Sequence, residues 1–239
     1  MQVLERFVEG PEVCPYLGDR QATHEYEIHA DLLPEEYEDR MNAGWRKFGL
    51  MLFHPICLSC RECRPIRVLI DEFQPSRSQR RADRESLGIE IQIQRPVVDP
   101  ARVALLKEYH RVQESRRGWK PQICTEESYY YSFVVNRLIA YEISLWKSSD
   151  LVGVILLEET VHTLSAIYHF HDLADNAPGY GTLAILHAIA LAGRLHKPYL
   201  YLGYLVKGCL SSEYKARFRP FEVLDGEGIW RPGIPSDDR

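Results

Sequence analysis

The segment "GYGTLAILHAIALAGRLHKPYLYLGYLV", residues 179–206, decides the fold that the sequence predicts. Gly179 and Gly181 precede an apolar stretch that has the length of a helix of about 13 residues. A second apolar run follows and leads to Gly203. The segment therefore predicts a helix that begins at a glycine-containing turn and is followed by a strand.

The stretch before this segment, residues 138–173, reads "LIAYEISLWKSSDLVGVILLEETVHTLSAIYHFHDL". It contains three strand-like runs separated by polar turns, which predicts an antiparallel meander. A meander, a helix and a further strand follow one another in acyltransferases of the GNAT type, although this order is common in α+β proteins generally. We therefore predict an α+β fold with a GNAT-like acyltransferase domain.

The first hundred residues predict an α+β subdomain that contains cysteines. Pro34 and Gly44 bracket a short acidic helix. Two apolar runs, residues 50–56 and 65–70, flank the cysteine segment and predict strands. An alternating strand pattern at residues 89–93 and a helix that begins at Asp99-Pro100 follow.

Composition limits the classes of function. The 239 residues include 29 basic and 34 acidic side chains, so a general polycation is excluded, whereas a local basic surface is not. No apolar run approaches the roughly 20 residues that span a bilayer, and the first residues lack the apolar core of a signal peptide. We expect a cytoplasmic protein.

Cysteine spacing indicates a candidate metal site. Thiolates in a C-x-x-C-x-x-C run can converge on one ion, and a remote cysteine next to a proline supplies a fourth ligand for zinc or an iron-sulfur cluster. The alternative is a set of reduced, packed thiols. The candidate ligands are Cys14, Cys57, Cys60 and Cys63. The isolated Cys124 and Cys209 are expected to be packed.

Seven segments, in order along nearly the whole chain, carry a family resemblance. They are "CPYL" (14–17), "GWRKFG" (44–49), "HPICLSCRECRPIRV" (54–68), "FQPSRSQRR" (73–81), "LSAIYHFHD" (164–172), "GYGTLAILHAIALAGRL" (179–195) and "YLYLGYLVKGCLSSEYKARFRPFEVL" (199–224). Together they resemble the aminoacyl-tRNA:protein transferases, which include eukaryotic arginyltransferases and bacterial aspartate/glutamate leucyltransferases.

The resemblance implies transfer of an amino acid from a charged tRNA to the α-amine of a protein that begins with Asp or Glu. This modification marks the protein for degradation in the N-degron pathway. The implied partners are aminoacyl-tRNA and such proteins, without a membrane or DNA, and the chemistry requires no cofactor. The cysteine layout is similar to the bacterial branch, which implies leucine as the donor amino acid, with arginine as the alternative.

The resemblance also implies a division of labour. Residues 1–97 form the cysteine-containing region that recognises the acceptor, and residues 98–239 form the GNAT-like region that transfers the amino acid. An aminoacyl ester is already activated, so the reaction requires positioning and removal of a proton from the amine. Asp172, at the end of "YHFHD", is the candidate catalytic residue; the alternative is that it only begins a turn.

Two groups of side chains are candidates for binding the substrates. Guanidinium groups suit the carboxylate of the acceptor, and cations interleaved with aromatic rings suit RNA. The acceptor candidates are Arg46, Arg77, Gln79 and Arg80. The tRNA candidates are Lys207, Tyr214, Lys215, Arg217 and Arg219. The alternatives are solvated basic faces and, for Tyr214 with Phe218, a place in the core at helical spacing.

Two other functions remain open. An acetyltransferase that uses coenzyme A shares the predicted fold, but the sequence lacks the usual glycine-rich loop. An inactive metal-binding or RNA-binding relative is the second alternative. It is motivated by departures from the family pattern at Leu173, Pro178 and residues 211–213.

Overall fold

A computed structural model of the chain describes residues 2–135, 138–174 and 179–233. The strands are β1 Val3–Val13, β2 Gln21–His29, β3 Arg46–Phe48, β4 Met51–Pro55, β5 Arg64–Leu69, β6 Ile89–Gln94, β7 Ala140–Lys147, β8 Asp150–Glu159, β9 Thr163–His171, β10 Tyr199–Leu205, β11 Phe221–Leu224 and β12 Trp230–Pro232. The α-helices are α1 Pro34–Asn42, α2 Arg77–Glu85, α3 Pro100–Arg117, α4 Glu126–Tyr129, α5 Tyr180–Arg194 and α6 Leu210–Glu213. The α+β class is confirmed.

The larger sheet has eight strands in the order β12-β11-β5-β10-β9-β8-β7-β6. β7, β8 and β9 form the predicted antiparallel meander. α5 then carries the chain to β10, which pairs with β9 in parallel. The predicted helix and strand of residues 179–206 are therefore both present, and the helix is 15 residues long.

The main core lies between α5 and this sheet. α5 packs on β7, β8, β9 and β10, and its buried side chains include Leu183, Ala188 and Ala192. α3 packs against β8 and β9, where Leu106, Val154 and Phe170 belong to a second cluster. Helices thus cover the meander because its strands are apolar.

The smaller sheet has the order β1-β2-β4-β3. α1 begins at Pro34, as predicted, and buries Tyr37 and Met41. These two side chains form a cluster with Leu52 of β4 and Tyr201 of β10. The smaller sheet is thereby fixed against the strand that follows α5.

The larger sheet crosses the predicted boundary at residue 97. β5 precedes that boundary but lies between β11 and β10, and β6 forms an edge of the same sheet. Ile66 and Val68 of β5 have no exposed surface. These two side chains lie on one face of the sheet and belong to the main core, so β5 is held in the sheet by packing as well as by its two neighbouring strands. The division by function stays a prediction, whereas the hydrogen-bonded sheet is continuous across it.

The basic segment "SRSQRR" forms a helix that the sequence did not predict. Ser76 Oγ accepts a hydrogen bond from the Gln79 N–H, and Gln79 Oε1 accepts one from the Ser76 N–H. This reciprocal capping box stabilises the first turn of α2. None of the helices in the described ranges is long and apolar enough to cross a membrane.

Candidate functional site

The site forms where β9 and β10 stop pairing. The parallel pairing covers three positions and ends at Ser165 and Tyr201. Beyond these residues β9 continues to His171 and β10 to Leu205. We call the space between these two strand ends the cleft. Because the strands no longer pair there, side chains from other segments can bind the backbone of β10.

Gly203 gives β10 its shape at the cleft. Its φ of +78° lies in the left-handed region that favours glycine. The register of β10 with β5 also shifts between Tyr201 and Tyr204. A Cβ atom at Gly203 would lie 3.5 Å from Nζ of Lys215. The strand therefore bulges at a residue that leaves space for a lysine.

Arg46 and Lys215 bind the backbone of this bulge, and we call them the inner cations. Arg46 Nη2 donates to the Gly203 carbonyl at 3.4 Å, and Lys215 Nζ donates to the Tyr204 carbonyl at 2.8 Å. Arg46 is only 4% exposed, and its guanidinium lies 5.2 Å and 5.3 Å from the ring centroids of Tyr201 and Tyr204. It also donates to the carbonyls of its neighbours in the chain.

Lys215 is directed into the protein. Burial, and then the charge of nearby Arg46, lowers the pKa of its ammonium to about 8. Its side chain is partly buried, and its hydrogen bond to Tyr204 holds it at the bulge. The predicted contact with tRNA phosphates calls for a lysine on an open face, and the structure places Lys215 beside the cleft instead.

An aromatic cavity of about 280 Å³ is lined by Tyr204, the residue whose carbonyl accepts the hydrogen bond from Lys215. Tyr204 belongs to its wall, and Phe48 connects the wall to β9 through an edge contact with Tyr168 at 5.9 Å. Its lining is Pro15, Tyr16, His24, Tyr26, Phe48, Met51, Phe53 and Tyr204. Rings on several sides make this cavity suitable for a flat or apolar group.

Two histidines of β9 lie at the beginning of α5. The rings of His169 and His171 stack at 4.8 Å, as expected for alternate residues of one strand. Burial lowers the pKa of His171 to about 4 and that of His169 well below its usual value, so both rings are neutral at pH 7. A Cβ at Gly181 would lie 3.1 Å from His169 Cε1, which explains a glycine here.

Asp172 follows the last residue of β9. Its carboxylate accepts a hydrogen bond from the N–H of Ala174 at 2.9 Å, and its own N–H donates to the carbonyl of Val152. This is the geometry of a turn-initiating aspartate, which was the alternative interpretation. Among the described residues, its second carboxylate oxygen makes no hydrogen bond, and a role toward the acceptor amine stays a prediction.

The two basic segments are neighbours. Gln79 is 3% exposed, and its Nε2 donates to the carbonyl of Arg217 at 3.1 Å. Its amide therefore holds α2 against the "YKARFRP" segment, and its role toward the acceptor stays a prediction. Arg77, Arg80 and Arg217 are exposed, and we call them the outer arginines.

The remaining tRNA candidates differ in exposure. Lys207 is exposed after β10, whereas Tyr214 packs against the main core. Arg219 is partly buried and donates to the Ala216 carbonyl at 3.2 Å. Phe218 is 2% exposed, which confirms its place in the core. The predicted helical spacing is wrong, because α6 ends before Tyr214 and a 3₁₀ turn over Tyr214–Arg217 follows.

Comparison with known proteins identifies the family. A family model described as arginine-tRNA-protein transferase, C terminus, matches residues 101–225, and its N-terminus counterpart matches residues 12–81. The chain belongs to this family. It is 36% identical to the aspartate/glutamate leucyltransferase of Helicobacter hepaticus, over 92% of each chain. It is 32% identical to that of Campylobacter jejuni, over 89% of this chain and 90% of the relative.

The resemblance predicted from the sequence is thus confirmed, and the chain is an aminoacyltransferase. Among solved structures, L-PGS from Bacillus licheniformis is similar to the transferase with a TM-score of 0.50 and 12% identity. The similarity covers 72% of this chain and 59% of L-PGS. At this identity it shows a shared fold and nothing about substrates.

In the transferase the predicted cysteine ligands gather with a fifth cysteine. Cys57, Cys60 and Cys63 line a cavity of about 430 Å³. Burial, and then the neighbouring thiols of Cys14, Cys57, Cys60 and Cys209, raises the pKa of Cys63 to about 12. Cys209 is buried, as expected, but its place next to Cys63 was not foreseen.

Several of these thiols accept hydrogen bonds from neighbouring segments. Within the described ranges, no three side chains of Cys, His, Asp or Glu are placed to hold one ion. Cys60 Sγ instead accepts a hydrogen bond from Arg20 at 3.2 Å, and Leu17 N–H donates to Cys14 Sγ at 3.4 Å. The described thiols therefore match a metal site only in part. The reaction proposed below does not use a metal ion.

The departures from the family pattern have structural roles where they are described. Ser212 Oγ accepts from the Val206 N–H at 2.9 Å and donates to its carbonyl at 3.0 Å. Glu213 accepts from the Gly208 N–H. These bonds close the loop between β10 and α6 of the transferase. Leu173 follows Asp172 in the turn, and Pro178 lies outside the described residues.

Proposed function

We propose that the protein transfers leucine from charged tRNA to the α-amine of proteins that begin with Asp or Glu. The observation that carries this function is the 36% identity to an aspartate/glutamate leucyltransferase over 92% of both chains. The activity belongs to the cytoplasm, the expected location, and serves the N-degron pathway.

The chemistry is an aminolysis. The neutral α-amine attacks the ester carbonyl of the aminoacyl group, the new C–N bond forms, and the C–O bond to the tRNA ribose breaks. The amine loses a proton, and the leaving ribose oxygen gains one. Asp172 is proposed to hold the amine or to take its proton, because among the described residues only one of its carboxylate oxygens accepts a hydrogen bond. Positioning of two bound reactants supplies much of the rate.

The aromatic cavity supports leucine as the donor amino acid. Its described lining consists of aromatic and apolar side chains with one histidine, and it includes no carboxylate. A leucyl side chain gains from burial in such a place. An arginyl side chain brings a guanidinium that requires an acidic partner. Arginine as the donor is therefore the second candidate, and it is favoured only by the name of the family model.

The outer arginines are proposed to bind the tRNA backbone, together with Lys207. The three arginines are exposed on α2 and on the neighbouring 3₁₀ turn, and the hydrogen bond from Gln79 to the Arg217 carbonyl joins these two segments. Contacts of arginine with phosphate weaken steeply as the salt concentration rises. Arg219 is less exposed than the outer arginines.

The larger sheet and α5 support a GNAT-like arrangement for the transfer region, with a cleft between two parallel strands. Coenzyme A is not the favoured donor. The turn at Gly179 and Gly181 is short, and the rings of His169 and His171 occupy the space beside it. The two rings leave little space for the pyrophosphate of coenzyme A. We therefore favour the ribose end of tRNA as the group that occupies the cleft.

A metal at the cysteine group remains a proposal separate from the chemistry. Cys14, Cys57, Cys60 and Cys63 would be its ligands, and zinc or an iron-sulfur cluster is what four thiolates prefer. Metal analysis of anaerobically purified protein, with Cys60→Ser as the comparison, tests it. Substoichiometric metal in both samples removes the metal from the proposal without affecting the transfer reaction.

Transfer of radiolabelled leucine to peptides tests the function. Leu-tRNA or Arg-tRNA is incubated with peptides that differ only in a first residue of Asp, Glu or Ala. We expect label from Leu-tRNA in the Asp and Glu peptides alone. Label from Arg-tRNA would establish the second candidate, and no label from either tRNA would support an inactive relative that binds RNA.

A further inference from the structure

Within the part of the chain that the structure describes, the inner cations have no carboxylate partner. Arg46 donates to backbone carbonyls, and Lys215 makes one hydrogen bond, also to a carbonyl, among the described residues. No described carboxylate forms an ion pair with either of them. A cation removed from water is unfavourable unless an anion accompanies it. The site therefore suits a ligand that brings a negative charge.

Lys215 has further donors next to Tyr204, a residue that lines the aromatic cavity. An ammonium has three N–H donors, and one of them binds the Tyr204 carbonyl. The ring of the same Tyr204 lines the cavity. Lys215 is partly exposed, whereas Arg46 is shielded by Tyr201 and Tyr204. A ligand can thus reach Lys215 directly, and Arg46 acts on it through its charge and through the backbone.

We propose that Lys215 binds the side-chain carboxylate of the acceptor's first residue and so selects Asp and Glu. Arg46 is a positioning residue that holds the Gly203 carbonyl and adds positive charge behind the ammonium. The inference rests on the proposed function and moves acceptor recognition from α2 to the cleft. Because the side-chain carboxylate and the α-amine belong to one residue, binding the first places the second near the donor ester.

Size and depth favour a carboxylate over an RNA phosphate. A carboxylate is small and planar and forms short, strong hydrogen bonds with a cation. The phosphates of a tRNA backbone are bulky and solvated, and the outer arginines already offer an open surface for them. The cleft offers a single partly buried ammonium beside an aromatic cavity.

Lys215→Met tests the assignment, because methionine retains the length of the chain but lacks the charge. The kcat/KM for leucyl transfer is measured with peptides that begin with Asp, Glu or Asn, since Asn has the shape of Asp without its charge. We expect a fall of about 30-fold or more for Asp and Glu, and a change within about threefold for Asn. Lys147→Met, at the exposed last residue of β7, is the matched control and retains the acidic preference.

An equal fall for all three peptides overturns the proposal, because Lys215 would then serve transfer or folding. Binding of Leu-tRNA to both proteins is measured by filter binding. If Lys215→Met binds Leu-tRNA with a higher Kd but retains the preference for acidic peptides, the anion that Lys215 binds is a phosphate of the tRNA. That result also overturns the proposal.

Direct titration of the peptides by calorimetry separates this inference from the proposed function. If the wild-type protein transfers leucine to no peptide, the proposed function fails. Tighter binding of the Asp peptide than the Asn peptide, lost in Lys215→Met, still supports the carboxylate site. Equal binding of the two peptides to the wild-type protein refutes it.

Discussion

The outer arginines and the inner cations are two groups of positive charge with opposite surroundings. Arg77, Arg80 and Arg217 stand in water, where an ion pair or a phosphate contact is weak and sensitive to salt. Arg46 and Lys215 are bound to the backbone of β10 and have lost much of their hydration. The difference teaches that the substrate of each group follows from how far its side chains are exposed to water. The number of basic residues in a motif does not indicate it.

The "YKARFRP" segment contributes to both groups. Lys215 is directed to the cleft, and Arg217, two residues later, is exposed. The 3₁₀ turn explains this separation, because three residues make one turn and side chains two positions apart point about 120° away from each other. A single motif can therefore serve the acceptor on one side and tRNA on the other.

The largest expected effect is on stability at Arg46. Arg46→Met removes hydrogen bonds to the Met41, Trp45 and Gly203 carbonyls and the contacts with two tyrosine rings. We expect the free energy of unfolding, measured with urea, to fall by about 3 kcal/mol. Arg77→Met should change it by less than about 0.5 kcal/mol. Similar losses for both variants would remove the distinction between the groups.

Lys215→Met should raise the free energy of unfolding, whereas Arg46→Met lowers it. Replacing a partly buried, unpaired cation by an apolar chain of equal length is expected to stabilise the protein at pH 7 by about 1–2 kcal/mol, after allowance for its solvent contact. The pKa of Lys215 is lowered from 10.5 to about 8. Its destabilising effect is thus complete below pH 8 and disappears as the pH rises toward 10.5.

The advantage of Lys215→Met in urea unfolding should therefore shrink between pH 8 and pH 9.5. Lys147→Met, whose lysine is exposed, should differ little from the wild-type protein at either pH. An advantage of constant size across this range would contradict the lowered pKa.

A smaller effect is expected on tRNA binding when the outer arginines are changed. Changing all three outer arginines to Gln should raise the KM for Leu-tRNA about tenfold at 150 mM salt and reduce the slope of log K against log salt by about 2. The preference for acidic peptides should not change. An unaltered slope together with a lost preference would reverse the roles assigned to the two groups.

The smallest effect concerns the link between the basic segments. Gln79→Ala removes half of the capping box of α2 and the hydrogen bond to the Arg217 carbonyl. We expect a loss of about 1 kcal/mol in thermal or urea unfolding. Arg84→Ala, at an exposed position in the last turn of the same helix, is the control. Equal stability of Gln79→Ala and the wild-type protein would show that the two segments are held together by other contacts.

The sequence by itself determined the elements that local patterns encode. The alternation of β6, the meander, the capped start of α3 and the apolar length of α5 follow from the period of strands and helices and from capping residues within a few positions. The segments that match the family also carried the enzyme class. Each of these patterns involves residues that are close together in the chain, so the structure it predicts does not depend on how distant segments pack.

Only the tertiary structure decided which basic side chains face the cleft. It inserted β5 between β10 and β11, brought Cys209 to Cys63, used Gln79 to join α2 to Arg217, and turned Lys215 toward the bulge at Gly203. Each of these contacts joins parts of the chain that are separated by a turn or by more than a hundred residues. Residue spacing does not encode them, because they depend on how sheets and helices pack to bury their apolar faces.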